Sequence, residues 1–284
     1  MIKILADTSS EFSFEEAKDL NITLVPMHVR FGDEEYLDRF EITNLQFFEK
    51  LVVSEYFPET SMVTTEEWKN AFLDATKDNS EVICVTMPKR LSGTYNAAVI
   101  ASKEFKNVYV VDSGNVTLGE KVVVLRIAEL IKKYSTAKEV FDIIEEEKKN
   151  VKMICLVDTL EYLRRGGRIG RIASIIGNVF HIKPVVLVDN SKVEVVGKAR
   201  GTKNGQIMMR EKINKFGGID FNYPEQLGYS GLSDYLIKRY IQDNQDLMKD
   251  GLNTMYYLIG STIGTHAGPG AIALAAFFNG DNNK

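Results

Sequence analysis

Strand-length apolar runs alternate with helix-length amphipathic runs through the first half of this chain, and that rhythm restricts its fold more than any single motif. IKILA at 2–6, ITLVPMHVRF at 22–31, EVICVTM at 81–87 and NVYVV at 107–111 read as strands. Helical stretches lie between and after them. Ser13 caps FEEAKDL, a helix covers 43–53, and Thr64 or Thr65 opens another after Pro58. Ser92 opens a helix running to Ala101, and 118–134 is helical again. A β-α-β-α order of this kind requires crossover connections, so it predicts a mostly parallel sheet with helices on both faces.

The rhythm changes after residue 137. One more helix (137–149) and a strand (152–157) lead into DTLEYLRRGGRIGRIASIIG, which reads as helix, glycine break, helix. KPVVLVD (183–189) and KVEVVGKAR (192–200) face each other across Asn190-Ser191, a polar turn, and predict a hairpin. A helix (203–215), strand (225–230), helix (232–246), strand (255–261) and apolar run (271–278) follow. Direct hairpins favour a mixed or antiparallel sheet. The expected organisation is therefore α/β with two domains, 1–150 on a mostly parallel sheet and 151–284 on a mixed or antiparallel one. At 284 residues, 44% of them hydrophobic, the chain can build both cores.

Charge and cysteine usage exclude several functions. A net charge of −4 argues against whole-surface binding to nucleic acid or anionic membrane. No run approaches the roughly 20 apolar residues a membrane span needs. MIKILADTSS has no signal-peptide pattern, so a cytoplasmic location is expected. Cys84 and Cys155 sit in apolar runs without metal-ligand spacing and read as buried strand thiols. GxGxxG, Walker A, GxSxG and HExxH patterns are absent, which leaves no support for a nucleotide, hydrolase-elbow or zinc site, and no cofactor is expected.

Four constellations carry chemistry. Ser92, Gly93 and Thr94 stand at a helix start, where free N–H groups and the helix dipole favour an anion; the plain alternative is a serine cap. Thr60-Ser61 places two hydroxyls before a helix. His266 lies in IGTHAGPG, where three glycines and a proline are hard to explain by core packing; His28 and His181 lack such surroundings and read as structural. Arg164, Arg165, Arg168 and Arg171 cluster at a glycine break, with Lys198, Arg200 and Lys203 further on; they suit a phosphate, a carboxylate or an acidic partner, or simply a solvated helix end. Asp7 and Asp112 end strands and read as local backbone caps. From the residues alone three readings stay open: a carboxylate binder, a serine hydrolase with Ser92 as nucleophile and His266 as base, and a phosphate- or nucleic-acid-binding regulator using Arg164–Arg171.

These segments together resemble the DegV family, the fatty-acid-binding proteins of bacterial fatty acid kinase systems. The resemblance rests on ADTSS, FGDEEYLDRFEIT, PETS, RLSGTYNAA, VVDSGNVTLG, LVDTLEYLRRGGRIGR, IKPVVLVDNSKV and IGTHAGPGA, in order along nearly the whole chain. It implies two α/β domains with a fatty acid between them. It implies a carboxylate held by Thr60, Ser61, Ser92 and His266, with Gly93 beside them. Thr94, Arg168 and Arg200 would serve the head group or partner docking. It also implies a separate ATP-using kinase, related to dihydroxyacetone kinases, that phosphorylates the bound carboxylate, and no catalytic centre in this chain. One departure is clear: where the family often has TSQPS, this chain has TSMVT, with Met62 and Val63. Residues 22–29, 172–180 and 271–278 are the apolar stretches that could line an acyl tunnel, although most of their residues read as ordinary core.

Overall fold

A computed structural model describes residues 1–168 and 182–280. The helix expected after the glycine break, Arg171, the apolar run 172–180 and His181 lie outside the described residues. β1 (Ile2–Asp7) is central in a parallel sheet, paired with β2 (Ile22–Val25) on one side and β6 (Glu81–Thr86) on the other. β7 (Val108–Asp112) extends it beyond β6, giving the order β2-β1-β6-β7. The helices arise from ordinary end signals. α1 (Phe14–Asp19), α2 (Asn44–Val53), α3 (Thr65–Thr76) and α6 (Ala137–Glu147) each start with a reciprocal capping box, built by Ser13, Thr43, Thr64 and Thr136.

The run 22–31 is not one strand. It breaks at Pro26, which has no N–H to give a ladder. The Met27 N–H goes instead to Thr8 Oγ1 (3.0 Å), and its carbonyl accepts the Asp38 N–H (2.8 Å). The chain then turns away from the parallel sheet. β3 (His28–Phe31) pairs antiparallel with β4 (Glu34–Leu37) and β5 (Glu59–Ser61), forming a small separate sheet.

The second large sheet joins β8 (Val151–Leu156), β9 (Ile182–Asp189), β10 (Lys192–Arg200), β11 (Glu225–Tyr229), β12 (Tyr256–Leu258) and β13 (Ile272–Phe277). Its order is β10-β9-β8-β13-β11-β12, and every pairing is antiparallel except β11 with β12. The β9–β10 hairpin closes as expected across Asn190 (φ 45°) and Ser191 (φ 66°), both left-handed as a tight two-residue hairpin turn requires. Period-two alternation sorts the faces of β8. Met153 and Cys155 face the core shared with the parallel sheet, while Ile154 and Leu156 pack toward α8 (Gly201–Lys215) and α9 (Tyr235–Asp243).

α5 (Leu118–Leu130) lies between the two large sheets, in contact with β1 and β6 on one side and β8, β11 and β13 on the other. Ten of its residues are buried, Glu120 and Lys121 included, so its charged groups need partners inside the protein. Lys121 Nζ meets Glu16 at 2.8 Å and lies 3.5 Å from the centre of the Tyr257 ring; burial lowers its amine to about 8. Ser9 Oγ stands 2.6 Å from Asp7 Oδ1 and 2.8 Å from Glu120 Oε2. One hydroxyl has one proton, so it donates to one carboxyl and accepts from the other. Burial, and then the Asp7 charge, push Glu120 well above its usual value, which makes Glu120 the protonated partner. Burial also raises Asp7, to about 6.

The weakened acidity of Glu120 has a definite effect on stability. The folded protein keeps a proton that the unfolded chain releases above the ordinary value of 4.5, so this group's stabilising contribution is full below that pH and is lost as pH rises. Glu120→Gln cannot ionise and still offers a donor. Its stability relative to the native chain should therefore increase between pH 4.5 and 7, measured as urea midpoints at the two pH values. A difference that does not grow toward pH 7 would contradict the shared-proton arrangement.

Candidate functional site

The strand order reverses direction between β1 and β6, since β1 leads to β2 on one side and β6 lies on the other. Parallel sheets leave a crevice beyond the carboxyl ends of the strands at such a point. A cavity of about 250 Å³ opens there, with Met87 just past β6 and Met27 just past β2 in its wall. Its opposite wall comes from the other large sheet, through Met153, Cys155, Val186 and Val188. This part of the lining is apolar, and the Cys155 thiol, pushed up to about 12 by burial, stays neutral.

The polar end gathers Thr60, Ser61, Ser92, Gly93, Arg168 and His266. Thr60 and Ser61 lie on β5, held by register with Val29 and His28 of β3. Ser92 sits in the loop after β6, just before α4 (Thr94–Ser102). The cap position of α4 is Gly93, whose side gives no capping bond; Ser92 Oγ instead accepts the Thr94 N–H (3.3 Å) and bonds the Thr94 hydroxyl (2.9 Å). A Cβ on Gly93 would lie 2.3 Å from Met62 Sδ, so the glycine lets Met62 close over the loop. Thr94 itself is buried under this turn and does not line the cavity.

His266 is on a helix rather than in a glycine loop: α10 spans Ser261–Ala267. The glycines around it do have a packing explanation, contrary to the sequence expectation. A Cβ on Gly264 would strike the Phe47 ring at 2.7 Å, and one on Gly268 the Tyr162 ring at 2.2 Å. Close helix packing, with a left-handed Gly268 (φ 69°) ending the helix, accounts for both. His266 Nε2 is 3.1 Å from Thr60 Oγ1. Its Nδ1 has no solvent contact and no partner among the described residues, and it faces Gly166, where a Cβ would come within 2.1 Å. Burial, and then the Arg168 charge, lower the ring to about 4, so it is neutral at pH 7.

The basic cluster divides. Arg168 links the two halves of the polar end, donating from Nε to the Leu91 carbonyl (3.2 Å) and from Nη1 to the Gly166 carbonyl (2.7 Å). Arg165 stacks 3.9 Å above the Phe57 ring, and Arg164 pairs with Glu161 on the surface of α7 (Glu161–Arg165). A second, more polar cavity of about 490 Å³ shares Thr60, Arg168 and His266 with the first and adds Phe57 and Arg165. Lys198, Arg200 and Lys203 lie on β10 and α8 and line neither cavity. Residues 271–278 belong to β13 and its core and do not line the first cavity either; of 22–29 only Met27 does. The apolar wall on β8 and β9 went unread in the sequence because period-two strands look alike whether their inner face meets core or cavity.

The chemistry on offer is binding. Hydroxyls, a neutral imidazole and a guanidinium suit an anionic oxygen group. The apolar wall suits a hydrocarbon. Ser92 is bonded to Thr94 rather than to His266, and no acid orients the imidazole among the described residues, so the pair lacks the geometry of a nucleophile and its base. In the ligand-free protein the His266 ring should titrate near 4, well under the ordinary 6.5. Proton NMR of the ring across pH 3–8 reads this, and a midpoint at or above 6.5 would contradict the burial argument.

Comparison with known proteins identifies relatives along nearly the whole chain. The model of the DegV family matches residues 1–279. A DegV domain-containing protein of Deinococcus radiodurans is 29% identical over 283 residues, covering 96% of this chain and 97% of that protein. Among solved structures, a fatty-acid-binding DegV family protein from Thermus thermophilus superposes with a TM-score of 0.85 at 26% identity, covering 98% of this chain and 99% of that one. DegV of Bacillus subtilis, described as a fatty acid binding protein, superposes with a TM-score of 0.82 at 25% identity, covering 98% and 99%.

Proposed function

The chain belongs to the DegV family, and from that premise we propose that it binds a long-chain fatty acid and presents the carboxylate to a separate ATP-dependent kinase. The observation that carries this reading is the continuity of one cavity, apolar along Met153, Cys155, Val186 and Val188 and polar at Thr60, Ser61, Ser92 and His266. A fatty acid is the simplest molecule with that division. The two related solved structures described as fatty-acid-binding proteins support the choice of ligand.

The carboxylate accepts from the Thr60, Ser61 and Ser92 hydroxyls, the Gly93 N–H and a ring N–H of His266. The neutral ring avoids a buried positive charge in the ligand-free state, and an arriving carboxylate favours its protonation. The tail supplies most of the affinity, at about 0.8 kcal/mol per buried CH₂. About 14 buried methylenes approach roughly 11 kcal/mol before the costs of ordering are subtracted. We place the domain boundary near residue 150, with the tunnel between the domains and the protein in the bacterial cytoplasm.

The second, more polar cavity is lined by the same Thr60, Arg168 and His266 and offers a route to the head group. In the proposed reaction a carboxylate oxygen attacks the γ-phosphorus of ATP on the kinase, ADP leaves, and an acyl phosphate remains in the cavity. Arg168 stands where it can face the added phosphate. This chain contributes binding and orientation, and the kinase contributes the nucleotide and metal chemistry.

Native mass spectrometry of protein purified from bacterial cells should show a retained fatty acid. Finding none, even after incubation with oleate and palmitate, would end the carrier reading. His266→Ala and Ser92→Ala should each weaken oleate binding by about tenfold while circular dichroism stays native. Normal binding by both variants would move the head group elsewhere.

A further inference from the structure

The helix that carries His266 is anchored at its other end by groups from distant parts of the sequence. Gly260 caps the start of α10, and three first-half residues hold that start. Asp38 accepts the Ser261 hydroxyl on Oδ1 at 2.5 Å and the Thr262 hydroxyl on Oδ2 at 2.8 Å. Glu11 accepts the Gly260 N–H on both oxygens, at 3.1 and 2.9 Å, and is itself paired with Arg39. Asn44 donates to the Leu258 carbonyl at 2.6 Å, just before the helix. Asp38, Glu11, Ser261 and Thr262 are all buried.

Asp38 has no freedom of its own. Its N–H donates to the Met27 carbonyl at 2.8 Å, and Met27 is part of the cavity wall. Its carboxylate therefore connects that wall to the first turn of α10, and one further turn along the helix brings His266 to Thr60. Gly264 lies between, close against Phe47 and Phe48, in a helix of seven residues that joins the anchored start to His266.

We infer that Asp38 is a positioning residue of the carboxylate site, acting through the Ser261 and Thr262 hydroxyls to hold His266 in reach of Thr60. This rests on the proposed fatty acid function. A residue that merely stabilised the fold would affect every ligand alike. Asp38 should matter for ligands that use His266 and not for those that use only the apolar wall.

The experiment titrates wild type, His266→Ala and Asp38→Asn with oleate and with oleyl alcohol, which keeps the tail and lacks the carboxylate. Asp38→Asn should lose about tenfold for oleate and under about twofold for the alcohol, the same split as His266→Ala. Wild-type oleate affinity in folded Asp38→Asn, or equal losses for both ligands, overturns the inference. If Asp38→Asn does not fold, Ser261→Ala removes one of its partners and should show the same split at about threefold. A second reading needs no ligand. The His266 ring resonances, assigned by their disappearance in His266→Ala, should shift in ligand-free Asp38→Asn, or in Ser261→Ala where that variant stands in for it, while those of His28 stay fixed. Unshifted His266 resonances overturn the inference whatever the titrations give. Wild type failing to bind oleate sinks the functional reading, and the ring measurement then decides the role of Asp38 alone.

Discussion

Burial of α5 on both sides is the constraint on which the rest of this structure depends. A helix with ten of its thirteen residues buried must satisfy its buried polar groups from neighbouring elements. Glu120 takes Ser9, and Lys121 takes Glu16 beside the Tyr257 ring. Those partners come from the turn after β1, from α1 and from β12, so the demands of one helix fix how the parallel sheet and the mixed sheet face each other. The cavity inherits that geometry, because its walls are the ends and inner faces of the same two sheets. The cost is a cluster of acidic groups in a dry interior, met in part by keeping a proton on Glu120.

The site separates two tasks that a single residue type would perform poorly. An apolar wall gives affinity through area and little orientation. Hydroxyls, backbone N–H and imidazole give orientation at low charge. Methionine at 27, 62, 87 and 153 adds side chains that adjust their shape to the molecule they enclose. Met62 lies against Gly93 at the polar end, so the substitution of an apolar residue for the glutamine frequent in the family falls on the edge of the head-group site rather than on the tail.

The sequence made the large architecture legible because long periodic runs determine both the layers and the parallel or antiparallel choice. The β9–β10 hairpin could be read from Asn190-Ser191 alone. The small sheet could not, since its strands are three or four residues of mixed exposure, too short to establish a period. Pro26 was the available signal and its meaning was missed. The glycines around His266 pointed to the right residue for the wrong reason: they let helices approach aromatic rings. Of the polar residues at one end of the cavity, only His266 stood in unusual surroundings; Ser92 read equally as a plain cap, Thr60 and Ser61 were weak signals alone, and the family resemblance grouped the four. The proposal that the cavity takes a fatty acid came from family resemblance, because no periodicity encodes a hydrocarbon.

Thr60 and His266 meet across 206 residues of sequence. β13, which follows His266 in the chain, is an interior strand between β8 and β11. A ribosome must therefore deliver the chain past residue 277 before either the sheet or the binding site can close. The cavity needs both sheets, so the fatty acid proposed as its ligand would be captured only by a finished molecule. On that proposal ligand uptake would act as a late checkpoint, stabilising completed chains by mass action and giving nothing to truncated ones.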